Sequence, residues 1–428
     1  MAVRTRTGRC GPDRVVLAPE YHHSRWYPLL SNAASVADRC AFGFADPSVD
    51  MNGVLRDGAV TVGGNARQQF HDARGYGTPA DGDEIRLARV EAAHLLLRGD
   101  IDAVVDNGDG LDFAAFFAAS AAADERFPLR FLVYADLRDR GFYLSPAREG
   151  WPGATDDERT DLTVAPRGTK PGAGEPAHRV VVVGERESIP AADLAGLTLA
   201  VVDEESEISY LDTSEPAFDG GTSYSPPADI TGALIGDRVV VWDAPDGFHE
   251  RGFYGQPLEA REATLDGVVQ LSLIEAAALA AEGQLVVPDA DDDSGHEEAT
   301  LTATGVAGEM MPDSQATYTT IRERGREVDG ERFDRRLAVY RALRDRQVVP
   351  KTGYKFGADF RTYNTVESVE ALPHSERLVR VVAADHTFDP RDLSLDVRLA
   401  GGVRKRMVFA LTGANGEIDW LAVSRLTP

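Results

Sequence analysis

Lysine, cysteine and long apolar runs are what this sequence of 428 residues has least of. Four of its 45 basic residues are lysine (Lys170, Lys351, Lys355 and Lys405), and its two cysteines are Cys10 and Cys40. With both cysteines near the N-terminus, disulfides are no part of the architecture of the remaining chain. No stretch of about 18 apolar residues exists, so no membrane span is indicated, and no charged-apolar-small leader pattern opens the chain. The cytoplasm is the default expectation. Apolar residues still make up 43% of the chain, enough for more than one core, and the length accommodates two to four ordinary domains.

A net charge of -25 argues against a polyanionic partner in an ordinary protein, because phosphate binding leaves a basic footprint. Abundant carboxylate with lysine nearly absent has another explanation, which is adaptation to a salt-saturated cytoplasm. There the Debye length falls to about 3 Å or less, and long-range repulsion of a nucleic acid is screened away. The local distribution then carries the information. Lys351, Lys355 and Lys405 all lie beyond residue 350 beside a cluster of arginines, and a lysine kept there is expected to act.

The chain repeats itself. Val90-Glu-Ala-Ala-His-Leu-Leu-Leu-Arg-Gly-Asp-Ile101 is echoed by Ile274-Glu-Ala-Ala-Ala-Leu-Ala-Ala-Glu-Gly-Gln-Leu285, and Glu125-Arg-Phe127 with Tyr134 by Glu331-Arg-Phe333 with Tyr340. Glu207-Ile-Ser-Tyr-Leu211 likewise parallels Glu417-Ile-Asp-Trp-Leu421. The fold class is therefore mixed α/β in tandem duplication. Each copy reads as strand-like starts (54–62 and 233–241), a helix closed by Gly99 or Gly283, a second amphipathic helix and a strand-rich remainder. The first copy spans 51–215, with subdomains about 51–124 and 125–215. A Gly-, Ser- and Pro-rich linker at 216–228 reads as an exposed boundary. The second copy spans 229–428, with subdomains about 229–330 and 331–428. Within it, 287–330 reads as an acidic insertion whose Asp289, Asp291 and Asp293 lack the glycine and closing glutamate of a calcium loop. Residues 1–50 match neither copy and are expected to be an unstructured extension or the product of an upstream start codon.

Three segments of the second copy carry chemistry: Tyr354-Lys-Phe-Gly-Ala-Asp-Phe-Arg-Thr-Tyr363, Pro373-His374-Ser375, and Arg398-Leu-Ala-Gly-Gly-Val-Arg-Lys405. Cutting RNA without a metal uses the substrate's own 2′-hydroxyl, which loses a proton while the departing 5′-oxygen gains one. Two proton carriers and a cation suffice, and tyrosine, histidine and lysine can fill those parts. Taken singly, Tyr363 reads as a strand aromatic, His374 as a loop histidine and Lys405 as a cation favoured at a helix end. Together, from about Phe333 to the C-terminus, the segments resemble the catalytic domain of the archaeal tRNA-splicing endonuclease (tRNA-intron lyase) family. That resemblance implies a restriction-nuclease-like mixed sheet as the second subdomain of each copy. It implies Tyr363 as general base, His374 as general acid and Lys405 as transition-state stabiliser. The implied reaction is cleavage of precursor tRNA at a bulge-helix-bulge, giving 2′,3′-cyclic phosphate and 5′-hydroxyl ends, with no metal and no cofactor.

The first copy is an internal control. Aligning Asp161 with Asp359 puts Ala165 at the position of Tyr363, His178 opposite Glu376 and Pro176 near His374, and the helix leading to Lys405 is deleted before Leu199. The first half is then a pseudo-subunit, and two scissile bonds require a homodimer. If 392–404 is helical, Arg398 and Lys405, two turns apart, share one face. In the resembling family an arginine and a second planar residue sandwich a bulge base, which implies Arg398 and Trp420 as RNA-binding residues. It also implies that the acidic loop Asp203, Glu204, Glu205 and Glu207 docks into the partner of the dimer. Two other functions compete: a non-catalytic tRNA-binding or assembly subunit, and a metal-dependent nuclease, whose Asp and Glu-x-Lys ligands are not found near Asp359.

Overall fold

The computed structural model describes residues 51–260, 263–288 and 312–428, all within one compact unit. The readings made for residues 1–50 and for 289–293 lie outside the described residues. Among the described residues no helix is long and apolar enough to cross a membrane.

Each half opens on a hairpin where one strand-like run was expected. Asn52–Arg56 turns back onto Ala59–Val62 through Asp57 and Gly58, both with positive φ (48° and 71°), as a two-residue turn matched to strand twist requires. Ile230–Ile235 and Arg238–Val241 repeat the arrangement. Helices α1 (Arg89–Arg98), α2 (Phe113–Ala123) and α3 (Phe127–Asp139) of the first half recur as α4 (Leu273–Ala281), α5 (Pro312–Asp329) and α6 (Arg332–Asp345). Helix α5, which spans 312–329 and matches α2 of the first half, corrects the reading of 287–330 as an acidic insertion. Its buried face is Ser314, Thr317 and Ile321, with Gly325 lying under the Phe333 ring, so small residues pack there and no apolar stripe announces a helix.

Ten strands then form a single sheet across both halves. The first half supplies β1 (Leu144–Pro146), β2 (Leu162–Val164), β3 (His178–Gly184), β4 (Thr198–Val202) and β5 (Ile208–Ser214). The second supplies β6 (Val349–Thr352), β7 (Phe360–Tyr363), β8 (Arg377–Ala383), β9 (Arg406–Thr412) and β10 (Ile418–Leu426). Their order, β6-β7-β8-β9-β10-β5-β4-β3-β2-β1, reads the same from either edge. The centre is the antiparallel pair β5–β10, in which Thr213 stands opposite Val423. The repeat that superposes Glu207 on Glu417 superposes these two residues as well, so a local two-fold axis runs through that pair. On one face each half keeps its own core. On the other face a single core spans the junction, uniting Leu199, Val201 and Leu211 with Leu393, Phe409 and Leu421.

Both halves anchor their sheet on a buried carboxylate. Asp161 accepts the Val182 N–H at 2.8 Å and bonds Arg126 and Arg130, while Asp359 accepts the Val381 N–H at 2.8 Å and bonds Arg332 and Arg336. The linker, expected as an exposed boundary, is instead strapped down. The Gly220, Gly221 and Thr222 N–H groups donate to the carbonyls of Arg346, Asn364 and Gln347, and the Thr222 hydroxyl accepts the Val366 N–H. A Cβ at Gly220 would fall 2.2 Å from the Arg346 carbonyl oxygen, so only glycine admits this approach.

Candidate active site

The segments singled out in the second half converge where three neighbouring strands of the sheet end or begin. Tyr363 closes β7, His374 lies in the loop three residues before β8, and Lys405 immediately precedes β9. Backbone bonds keep these ends level: the Glu376 N–H donates to the Thr362 carbonyl (3.0 Å), and the Arg406 N–H to that of Glu376 (3.1 Å). Adjacent strands lie roughly 4.8 Å apart, so the outer two places are separated by about 10 Å, room for one phosphodiester between them.

Each side chain is set differently. Tyr363 is 4% exposed, its ring edge-on to Phe253 with centroids 5.6 Å apart. His374 is exposed, and its neighbour Ser375 is buried. The Lys405 ammonium donates to the Ser375 carbonyl at 2.7 Å, which ties it to the His374 loop, and lies 5.5 Å from the Phe356 ring centroid. Its pKa is pushed below the ordinary lysine value, first by desolvation and then by repulsion from Arg361.

Helix α7 (Pro390–Gly402) runs along this face, capped at its start by the Asp389 carboxylate. It has no counterpart in the first half, where the single turn Ala191–Asp193 takes its place. The expectation of a helix over 392–404 is corrected at its end. Gly401 and Gly402 weaken the last turn, Val403 caps it and Arg404 takes a positive φ of 58°, so Lys405 lies beyond the helix and the two-turn spacing from Arg398 does not align them. Lys405 is aimed by this reversal and by its N–H bond to the Ala400 carbonyl.

Arg398 is exposed on α7. Trp420 lies on the opposite face of the sheet: it packs with Ile418 against the core of α6, whereas Leu421 faces α7. Its indole meets Phe218 of the linker edge-on at 4.6 Å. One chain therefore does not bring Arg398 and Trp420 together. The acidic loop is the turn joining β4 to β5. Asp203 is occupied within it, its carboxylate accepting the Glu205 and Glu207 N–H groups, and Glu204 pairs with Arg186 at 2.7 Å. Glu205 and Glu207 remain exposed without such a partner among the described residues.

In the first half, strand register corrects one alignment. Ala177 donates to Val164 as Glu376 does to Thr362, so His178 corresponds to Arg377 and Glu175 occupies the place of His374. The loop is one residue shorter than the unaligned sequence implied. Ala165 does stand at the place of Tyr363.

Arg361 escaped sequence reading, as did the partner of Lys351, a lysine that was expected to act. Arg361, two residues before Tyr363, has its guanidinium carbon 5.8 Å from that ring's centroid. Lys351 bonds the buried Glu275 at 2.6 Å and the carbonyls of Phe253 and Gly255, holding the backing of Tyr363 to the preceding subdomain. Among the described residues none of Arg361, Arg398, Arg404, Lys405 and Arg406 has a carboxylate within 4.0 Å, which leaves a concentration of unpaired cations on a strongly acidic chain. Among the same residues no three His, Cys, Asp or Glu side chains group as metal ligands.

The family model for the tRNA intron endonuclease catalytic C-terminal domain matches residues 333–420, and that for the N-terminal domain matches 51–117 and 230–300. A tRNA-splicing endonuclease of Haloferax volcanii is 53% identical over 378 residues, covering 88% of this chain and 100% of the relative. One from Haloarcula marismortui is 52% identical with the same coverage, and one from Methanococcoides burtonii is 34% identical over 86% of this chain and 97% of the relative.

The buried pair gives a test of the site's foundation. Burial alone would raise the Glu275 pKa, but Lys351 and the Ser272 bonds bring it from 4.5 down to about 2. A depressed carboxylate stabilises the fold fully above its unfolded value, and that contribution is lost as pH falls from about 4.5 towards 2. Lys351→Met is expected to lower stability at pH 7 by about 3 to 5 kcal/mol, because it strands a buried charge, and to abolish the acid limb between those values. Denaturant titrations across pH check both.

Proposed function

Because this chain belongs to the tRNA intron endonuclease family and cuts introns from precursor tRNA, we propose that Tyr363, His374 and Lys405 perform the cut by metal-independent transesterification at a bulge-helix-bulge. The observation that carries the reading is that the end of β7, the loop leading into β8 and the start of β9 carry these three residues, while Ala165 and Glu175 replace the first two in the other half. Tyr363, as its phenolate, accepts the proton of the 2′-hydroxyl and becomes the phenol. The 2′-oxygen bonds to phosphorus and the bond from phosphorus to the 5′-oxygen breaks. His374 gives its proton to that oxygen, so the products carry a 2′,3′-cyclic phosphate and a 5′-hydroxyl. Lys405 faces the negative charge that builds on the phosphorus oxygens, and its half-buried setting strengthens the attraction. Arg398 stacks on or binds the RNA beside the cut, a role supported by its exposure one turn from the end of α7.

His374→Ala and Lys405→Ala should each slow cleavage of a precursor transcript by roughly 10² to 10⁴ with unchanged melting temperature. A rate near wild type in either variant would contradict the assignment, and would favour a tRNA-binding role for this domain.

The chain carries one such site, so two cuts per intron call for two chains. The acidic β4–β5 turn supports a homodimer in which Glu205 and Glu207 meet basic groups of a second copy in an isologous contact. Glu205→Lys with Glu207→Lys spares the Asp203 bonds that shape the turn. Sedimentation should show this double variant as a folded monomer that no longer makes paired cuts. A dimer that excises introns normally would return the turn to an ordinary solvated surface.

A further inference from the structure

Among the described residues the side chain of the arginine beside Tyr363 has no hydrogen-bond or ion-pair partner, and the two halves differ at its position. Several arginines that serve architecture are kept in both: Arg126 and Arg130 on Asp161 match Arg332 and Arg336 on Asp359, and Arg138 against Tyr134 matches Arg344 against Tyr340. Arg361 is lost together with Tyr363. Strand register puts Thr163 in its place, a buried residue whose hydroxyl donates to the Gly153 carbonyl at 3.2 Å.

The setting of Arg361 is costly without an anion. It shares a side of β7 with Tyr363, since residues two apart on a strand face the same way. Its cross-strand neighbours offer no counter-charge, being Leu378 on β8 and, on β6, a Lys351 already engaged by Glu275. Its Nε is enclosed without a hydrogen-bond partner, and it sits close enough to Lys405 to repel that ammonium. Two cations close enough to repel one another, neither with a carboxylate within 4.0 Å among the described residues, suit a group that presents two anionic oxygens.

We infer that Arg361 grips the non-bridging oxygens of the scissile phosphate with its guanidinium fork, beside Lys405, as a fourth side chain touching the reacting group. The planar pair of N–H donors matches two oxygens of one phosphorus, a geometry that a lysine ammonium does not supply. Arg361 donates hydrogen bonds only and moves no proton, so the bonds made and broken are those of the triad's reaction. The inference rests on that reading, with the phosphate at the triad.

The experiment compares wild type, Arg361→Ala and Arg361→Lys on precursor transcripts carrying either phosphorothioate diastereomer at one splice site. Sulfur accepts hydrogen bonds poorly, so wild type should discriminate against the diastereomer whose sulfur faces Arg361. The alanine variant should cut the all-oxygen transcript roughly 10²-fold more slowly, with unchanged melting temperature and most of that discrimination gone. The lysine variant should fall between, and it carries the comparison if the alanine variant does not fold. A rate within about threefold of wild type overturns the inference. So does a slow variant whose discrimination equals that of wild type, which is the behaviour of an arginine that merely packs on Tyr363. Loss of activity in His374→Ala with these Arg361 results would leave the triad standing, whereas an active His374→Ala would remove the reading beneath both.

Discussion

Everything in this molecule hangs on the pairing of β5 with β10. That antiparallel ladder, centred on Thr213 and Val423, turns two five-stranded sheets into one of ten, and the core that spans the junction buries apolar side chains from both halves. A second ladder, Ile189 and Pro190 against Phe388 and Thr387, closes the same face. Without the first half, β10 would be an open edge beside the strands that carry the site, with Leu421 and Val423 stripped of part of their cover. The first half, with Ala165 and Glu175 at the places of Tyr363 and His374, therefore completes the sheet and the core of the second.

The duplication also separates architecture from chemistry inside one chain. The buried aspartates with their paired arginines, the stacked Tyr–Arg contacts and the glutamates at the starts of α1 and α4 occur in both halves. Tyr363, His374, Lys405, Arg361 and helix α7 occur in one. Even the shared glutamate is treated differently: Glu91, bonded by the Trp151 indole, has its pKa raised by burial, whereas Lys351 holds Glu275 ionised. The second half thus puts a buried ion pair where the first half has an indole N–H donor, directly behind the phenylalanine that packs on Tyr363.

Much of this is legible in the amino-acid sequence. The repeat stands there because repeated motifs survive as patterns, and the segments carrying Tyr363, His374 and Lys405 are picked out by their resemblance to the family's catalytic domain. The rest depends on tertiary context. Helix α5 hides its buried face in serine, threonine and glycine, and the linker reads as an exposed boundary although Gly220 and Gly221 are there to let it lie flat. The family resemblance implies Arg398 and Trp420 as a pair around one base, and β-strand alternation turns Trp420 with Ile418 to the face away from α7, so one chain does not bring them together. Arg361 is within reach of sequence reasoning, since it lies two residues before Tyr363 and its counterpart is Thr163. Only the folded chain shows that, among the described residues, no carboxylate claims it.

The central claim is that three side chains on adjacent strand ends cut RNA through the substrate's own 2′-hydroxyl. The direct test is to cleave a bulge-helix-bulge precursor in excess chelator and to identify the chemical ends released at both splice sites. The account predicts an undiminished rate with 2′,3′-cyclic phosphate and 5′-hydroxyl termini. Termini bearing 3′-hydroxyl and 5′-phosphate, or activity that vanishes in chelator and returns with a divalent cation, would contradict it.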